Sequence, residues 1–508
     1  MPPDRNVDCV LACHMHGFGP RWRPNRAPQF LAFSPRPQRP APVVPHPGRL
    51  VMGGTWRTLV AAGVVAALMV AAAVQHLSGT HSLWLAFFVV LATVLMWATR
   101  IVPEYLAAFV FCVVCAIGLV APPSVFMSGF TGAAAWLVFS GSVIGASLGH
   151  TGLADRLGAK LAAVANGSFP AVIARVAVFG TGLAFLMPSG MGRIFLLAPL
   201  LAAFAQRAGL PKGSRGRAGV MLAGLYGTFF PAMGILPANV PNNVLAGLLE
   251  TTGLGVPTFS DYLLVHFPVI GLGKLALLIG LLAVTFRDVR PVPAPEAEPP
   301  PPMTVSEKRL AVLLAATIGL WLTDSLHGVS ATWVGMAAAV VCLWPGTGLL
   351  PANPMKSVAF EPIVYVAGVV GLGAVVGYTG LGTRLGELLT GVVSPLAGHP
   401  VAAYVGLAAI AAGLGPIVTA VGVPAILTPI APVLATATGL PVSTVTMSQV
   451  LGFSTIFLPY QAPPLAVALQ IGALPPREAV TSCIQLAVLT ILLLWPLDVM
   501  WWLVLGRL

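Results

Sequence analysis

Apolar stretches long enough to cross a bilayer recur from Thr58 almost to the C-terminus, and nothing else in the chain constrains its fold so tightly. A hydrocarbon core needs about 20 consecutive apolar residues of helix. Inside it every backbone N–H and C=O must find a partner within the protein, so runs of this length are read as helices. Of the 508 residues, 57% are hydrophobic and only 8% are charged. Soluble domains carry about a quarter charged residues. A soluble fold of this size therefore lacks the polar groups to coat its surface, and lipid removes that demand.

The candidate spans are 57–76, 82–99, 104–121, 132–150, 218–250, 260–286, 309–326, 329–345, 360–380, 443–472 and 479–505. Between 150 and 218, and between 380 and 443, lie apolar stretches broken near their middles by Gly, Pro and small polar residues. Each reads as a helical hairpin that enters the membrane and turns back. The expected fold is an all-α polytopic membrane protein of about eleven transmembrane helices plus two re-entrant hairpins. Its parts are an N-terminal extension over 1–51, a first membrane repeat over 52–290, a polar Pro/Glu linker over 291–306 and a second repeat over 307–508.

The basic residues test this layout, because cytoplasmic loops collect Lys and Arg. With the N-terminus inside, fourteen basic residues fall on the cytoplasmic side, among them Arg57, Arg156, Lys212, Arg217, Lys308 and Arg477. Only Arg384 and Arg507 fall outside. Arg175, Arg193 and Lys274 lie within apolar segments, and seven arginines in the first fifty residues complete the 26. The sorting predicts a multi-pass protein of the cell membrane with a cytoplasmic N-terminus and an external C-terminus. It accounts for most of the formal charge of +11 with the lipid bilayer as partner and no nucleic acid.

Residues 1–51 differ from the rest: they are Arg- and Pro-rich and hold no apolar core of the kind a secretory signal needs. Three readings stand: a metal site from Cys9, Cys13, His14 and His16, a disordered tail, or a start placed ahead of Met52. The six cysteines form neither a disulfide framework nor a zinc pattern.

The chain also resembles itself. Thr151-Gly-Leu-Ala-Asp-Arg-Leu-Gly158 returns as Thr379-Gly-Leu-Gly-Thr-Arg-Leu-Gly386, Gly209-Leu210-Pro211 as Gly439-Leu440-Pro441, and Pro199 as Pro429. In the layout above, span 132–150 runs inward and span 360–380 outward, so the repeats are inverted. Inverted repeats with broken helices are the plan of secondary transporters, which bind solute near the midplane between the repeats.

Four breaks mark that region. The first hairpin turns at Met187-Pro188-Ser189-Gly190-Met191-Gly192-Arg193, and the span after it breaks between Pro231 and Asn243. The second hairpin turns between Gly415 and Pro424, and the span after it breaks at Leu458-Pro459-Tyr460-Gln461-Ala-Pro463-Pro464. Proline removes a backbone donor and glycine permits unusual dihedrals, so each break frees N–H and C=O groups at mid-membrane depth. Helix N-termini there attract anions, and freed carbonyls can hold a cation. Ser189, Thr419, Asn239, Asn242, Asn243 and Gln461 add neutral polar contacts, or else pack helix on helix. Arg193, four residues past the first tip, either faces the cavity and meets an anion, forms a structural ion pair, or snorkels to the interface. Snorkelling suits Arg175 and Lys274; Asp498, in the last span, offers a proton relay, but its distance from the breaks in sequence favours a place near an interface. His150 and His266 stand alone and read as packing or interfacial residues.

At these breaks the chain resembles the divalent anion:sodium symporter family, within the wider ion transporter superfamily, over roughly 57–505. That family carries Ser-Asn-Thr at each hairpin tip, ten residues ahead of a proline. Pro199 places Ser189-Gly190-Met191 at the first motif, and Pro429 places Thr419-Ala420-Val421 at the second. The family's Thr-Pro-Pro-type loops are matched loosely by Asn239-Val240-Pro241-Asn242 and closely by Ala462-Pro463-Pro464.

The resemblance implies an elevator-type symporter, working as a homodimer, for a dicarboxylate, citrate or sulfate. Sodium ions are the coupling ions and no other cofactor is expected. Ser189, Gly190, Met191, Arg193, Asn239, Asn242, Thr419, Ala420, Val421 and Pro463 would bind solute. Ser189, Gly190, Gly234, Thr419, Gly422 and Gln461 would bind the cation. Both motif asparagines are replaced, by Gly190 and Ala420, which opens proton coupling and leaves Arg193 to make up lost anion contacts. The competing readings are an arsenite or sodium/proton exchanger of the same superfamily, which wants a titratable acid at midplane, and a channel. No nucleophile–His–acid set marks an enzyme.

Overall fold

The computed structural model describes residues 55–78, 83–164, 167–289, 301–472 and 474–508. The readings of residues 1–51 and of most of the linker lie outside these. Eleven helical segments occupy the expected spans. Seven are unbroken: Thr55–Ser78, Leu83–Thr99, Glu104–Ile117, Ala133–Thr151, Val305–Leu322, Ala331–Leu343 and Glu361–Tyr378. Among the described residues, six helices are long and apolar enough by length and composition to cross a membrane. The two broken spans escape that criterion only because each break divides them. Arg215–Gly227 is separated from Val240–Thr252 by two short 3-10 turns, and Val442–Phe453 from Pro463–Ile471 by one.

Both hairpins are present, and each is shorter than the apolar stretch that predicts it. The first pairs Phe169–Leu186 with Gly190–Arg207. The second runs over Pro400–Thr438 and breaks at Thr419. Ahead of each lies a separate amphipathic helix, Leu153–Val164 in the first half and Leu381–Val393 in the second. The reason is charge: Asp155, Arg156 and Lys160 in one helix, and Arg384 and Glu387 in the other, belong in a polar surface layer. The repeated Thr-Gly-Leu motif starts these helices. Gly152 and Gly380 take φ of 81° and 77°, a left-handed turn that an L side chain resists, and so the same glycine recurs.

The two halves thus present the same order: span, amphipathic helix, hairpin, broken span and a long final span. The final spans, Phe259–Thr285 and Pro476–Val504, share a further device. Each contains a π-helical turn and a proline: Pro268 lies inside the turn Phe267–Gly273, and Pro496 lies two residues past the turn Thr490–Leu494. A π turn inserts one residue and commonly marks a functional position. Where the linker re-enters the described chain, Arg156 fixes it to the first half. Its guanidinium donates to both Glu307 carboxylate oxygens, at 2.8 and 3.0 Å, and to the Pro301 carbonyl at 2.7 Å.

Candidate functional site

In each half the hairpin tip packs on the broken span, and the polar groups freed by both are the site. At the first tip the helix ends at Leu186 and restarts at Gly190, and Ser189 Oγ accepts the Gly192 N–H at 3.1 Å as the N-cap. Four residues on, Arg193 is fully buried. Its Nε donates to Thr228 Oγ1 at 2.9 Å and one terminal nitrogen to the Met187 carbonyl at 2.5 Å. The other terminal nitrogen donates to the carbonyls of Thr228 and Ala238 at 3.1 and 2.9 Å, and to Asn239 Oδ1 at 3.4 Å. Neither snorkelling nor an ion pair describes this residue: the guanidinium sits in a cage of neutral oxygens supplied by both sides of the first break. Among the described residues no Asp or Glu pairs with it.

The asparagines sew the broken span to itself. Asn239 Nδ2 donates to the Phe229 carbonyl at 3.2 Å. Asn242 Nδ2 donates to the carbonyls of Met233 and Ile235 at 3.1 and 2.9 Å. Their neighbour Tyr262 reaches in from the final span of the half and donates its hydroxyl to the Met233 carbonyl at 3.1 Å. The amide oxygens Asn242 Oδ1 and Asn243 Oδ1 are buried without a partner. Gly234 is buried in the turn Pro231–Gly234, Gly190 lies against Asn239, and Met191 is half-buried.

At the second tip Thr419 takes φ 67° and ψ 164°, a backbone region nearly reserved for glycine and costing about 1–3 kcal/mol for other residues. Ala420, Val421 and Gly422 follow it into the interior. The tip is held by the second break: Tyr460 donates its hydroxyl to the Pro416 carbonyl at 2.8 Å. Gln461 Oε1 accepts the Phe457 and Leu458 N–H groups at 2.9 and 2.8 Å. A Cβ on Gly415 would stand 2.7 Å from Gln461 Nε2, so the glycine lets tip and break approach. Pro463, half-buried, opens the second piece of the broken span.

Two further charges belong to this region, against the expectation from sequence. Lys274 is 1% exposed rather than snorkelling, and its Nζ donates at 2.5 Å to the carbonyl of Ser454. Ser454 caps the first piece of the second broken span, as Thr228 caps that of the first. Asp498 is fully buried rather than interfacial, and its Oδ2 accepts the Tyr404 hydroxyl at 2.6 Å. Distance along the chain misleads here because the final spans of both halves pack beside the breaks. His266 is buried against Tyr262 and Trp502, whereas His150 is exposed. The predicted residues therefore divide into two clusters, one per half. One cavity, of about 260 Å³, reaches the first break at Leu236 and lies beside Glu250 and Asp324; another, of about 400 Å³, lies beside Thr252 and Pro429.

Paired hairpins, broken spans and buried polar breaks define a multi-pass membrane carrier, not an enzyme. A family model described as a citrate transporter matches residues 93–456, and the chain belongs to that family. A solved structure of the Alcanivorax borkumensis YdaH transporter, reported to have an unusual topology, shares the fold at a TM-score of 0.51. It is 17% identical, with 75% of this chain and 88% of that one covered. A Cupriavidus necator protein described as a membrane protein is 26% identical over 282 residues, 54% of this chain. The chain covers about half, 55%, of that curated relative.

Proposed function

We propose that the protein is an elevator-type secondary carrier of a small anion such as a dicarboxylate, citrate or sulfate, driven by protons rather than sodium. The observation that carries this reading is the caged Arg193. A guanidinium surrounded by neutral oxygens leaves a full positive charge uncompensated in a low-dielectric interior, where an anion is the natural complement. The helix pieces starting at Gly190, Val240 and Pro463 add their N-terminal partial charges of the same sign.

The same cage argues against sodium in the first half. The carbonyls of Met187, Thr228 and Ala238, which a free cation would need, are already taken. The motif asparagines are Gly190 and Ala420, so neither tip offers an amide oxygen in their place. Substrate contacts fall to Ser189, Met191, Asn242 and Asn243 in the first half and to Thr419, Val421 and Gln461 in the second. The moving body comprises both hairpins and both broken spans, in a homodimer with a cytoplasmic N-terminus and an external C-terminus.

The test is uptake of labelled citrate, succinate and sulfate into proteoliposomes under a sodium gradient, a proton gradient, or neither. The reading expects uptake of at least one anion, set by the proton gradient and indifferent to sodium. Uptake that needs sodium would remove the coupling assignment. Sodium/proton exchange without anion uptake would favour the exchanger reading, for which Asp498 supplies the acid that the breaks lack.

A further inference from the structure

A chain of buried polar side chains joins the two breaks, and anion binding uses none of them. It begins at the Met233 carbonyl with Tyr262, whose ring lies 4.6 Å from that of His266. His266 stands 6.1 Å from Trp502, and Trp502 stands 4.9 Å from Tyr404. Tyr404 donates to Asp498, whose helix packs on the π turn that leads into Lys274, and Lys274 ends the chain on the Ser454 carbonyl. Along this route four polar atoms are buried with no hydrogen-bond partner: both His266 ring nitrogens, Trp502 Nε1 and Asp498 Oδ1. Buried orphans are rare because each costs its full desolvation, and a cluster of them at mid-membrane depth asks for a functional cause. The π turns at Phe267–Gly273 and Thr490–Leu494 adjoin Lys274 and the helix that carries Asp498.

We propose that Asp498 is the proton-binding site of the carrier, with Lys274 transmitting its charge state to the second break. The proton forms an O–H bond on Asp498 Oδ1, the oxygen left open by Tyr404, and leaves from the same atom, with no change of oxidation state. While Asp498 is ionised it balances the Lys274 ammonium, which can then hold the Ser454 carbonyl. Once Asp498 is protonated, Lys274 is a buried cation without a counter-charge, and such a charge is expensive. It then either gives up its own proton or leaves the carbonyl, and in both cases the second break loses its clamp. The half-exposed pair Asp261–Arg507 joins the helix of His266 to the end of the helix that carries Asp498, where the route meets the protein surface. The other titratable groups facing the cluster are Cys483, which donates to the Ile456 carbonyl, and Tyr226, whose hydroxyl is held by the Ala479 carbonyl.

The site rests on the carrier reading only for what the proton drives, so the test has two arms. In the first, infrared difference spectra of the purified full-length protein are recorded between acid and alkaline pH. The wild-type difference spectrum is expected to contain a protonated-carboxyl band that is lost in Asp498→Asn and displaced in Tyr404→Phe. A band unchanged in Asp498→Asn overturns the site whether or not any anion is carried. In the second arm, citrate-driven acidification of proteoliposomes is read with an internal pH dye. Asp498→Asn is expected to abolish acidification, by more than tenfold, while exchange of labelled for unlabelled citrate persists. Acidification retained in that variant overturns the coupling role. Failure of wild type to move citrate, with the infrared result intact, counts against citrate and leaves the proton site standing.

Discussion

The two breaks are built alike and neutralised differently. In the first half the cation is Arg193, carried by the hairpin of that same half and bonded to five oxygens around it. In the second it is Lys274, which comes from the other half and makes one bond to the Ser454 carbonyl. Arginine keeps its charge at every accessible pH, whereas a buried lysine can release its proton. The first break is therefore a permanent charge bound into its own scaffold. The second is a contact between halves, which the carboxylate of Asp498 can make or undo. A carrier needs one part that holds the solute's charge and one that responds to the driving ion. In the carrier proposed above, the repeat supplies both by placing different cations on equivalent carbonyls.

The largest effect should come from removing the permanent charge. Arg193→Gln leaves carbonyls of Met187, Thr228 and Ala238 buried without donors, and these cannot be exchanged for apolar groups because they are backbone. A loss of about 1–3 kcal/mol for each carbonyl left unpartnered is expected, read by thermal unfolding in detergent, with anion uptake reduced by more than tenfold. Uptake near the wild-type rate would break the comparison at its first term. Lys274→Arg asks whether the second break can be made like the first. A cation that does not titrate should cut proton-driven uptake by about tenfold and flatten its pH dependence while anion binding survives. A pH profile like that of wild type would show that the two cations do not differ in kind.

Smaller effects sharpen the tip geometry. Gly415→Ala drives a Cβ toward Gln461 Nε2 and should cost about 1–3 kcal/mol by overpacking, seen as a lowered melting temperature. Thr419→Gly relieves the positive φ at the second tip. It should stabilise by about 1 kcal/mol or less, once the added freedom of the unfolded chain is set against the relief. A fall in stability would mean that the Thr419 side chain contributes more than its backbone costs.

Much of this architecture was legible because the bilayer makes patterns coarse. A span must be long, a loop must gather Arg and Lys, and a break must show Gly and Pro. The repeated Thr-Gly-Leu motif proved to be a left-handed turn at the head of an amphipathic helix. The amphipathic helices themselves are hidden inside the apolar stretches assigned to the hairpins, because three charges in one and two in the other hardly alter a window of that length. The partners of Arg193 were not legible, since three of them are backbone carbonyls, which carry no residue signature. Lys274 and Asp498 are visible in the sequence as charges in apolar runs, where snorkelling suits the one and distance from the breaks points the other to an interface. Only the packing of the final spans beside the breaks brings them to the centre. The organisation of residues 1–51, including Cys9, Cys13, His14 and His16, stays with the sequence alone.

The two π turns are alike in kind and differ in level. Pro268 and Pro496 are 228 positions apart, the spacing that also separates Thr151 from Thr379, yet Pro268 lies inside its turn and Pro496 lies past the end of its own. The repeat therefore matches the prolines and not the turns, so each half sets the level at which its final helix is rewound. Deleting one residue from either turn would restore regular α-helical winding to that helix. Everything beyond it would swing by about 100°, carrying Lys274 or Asp498 away from the other.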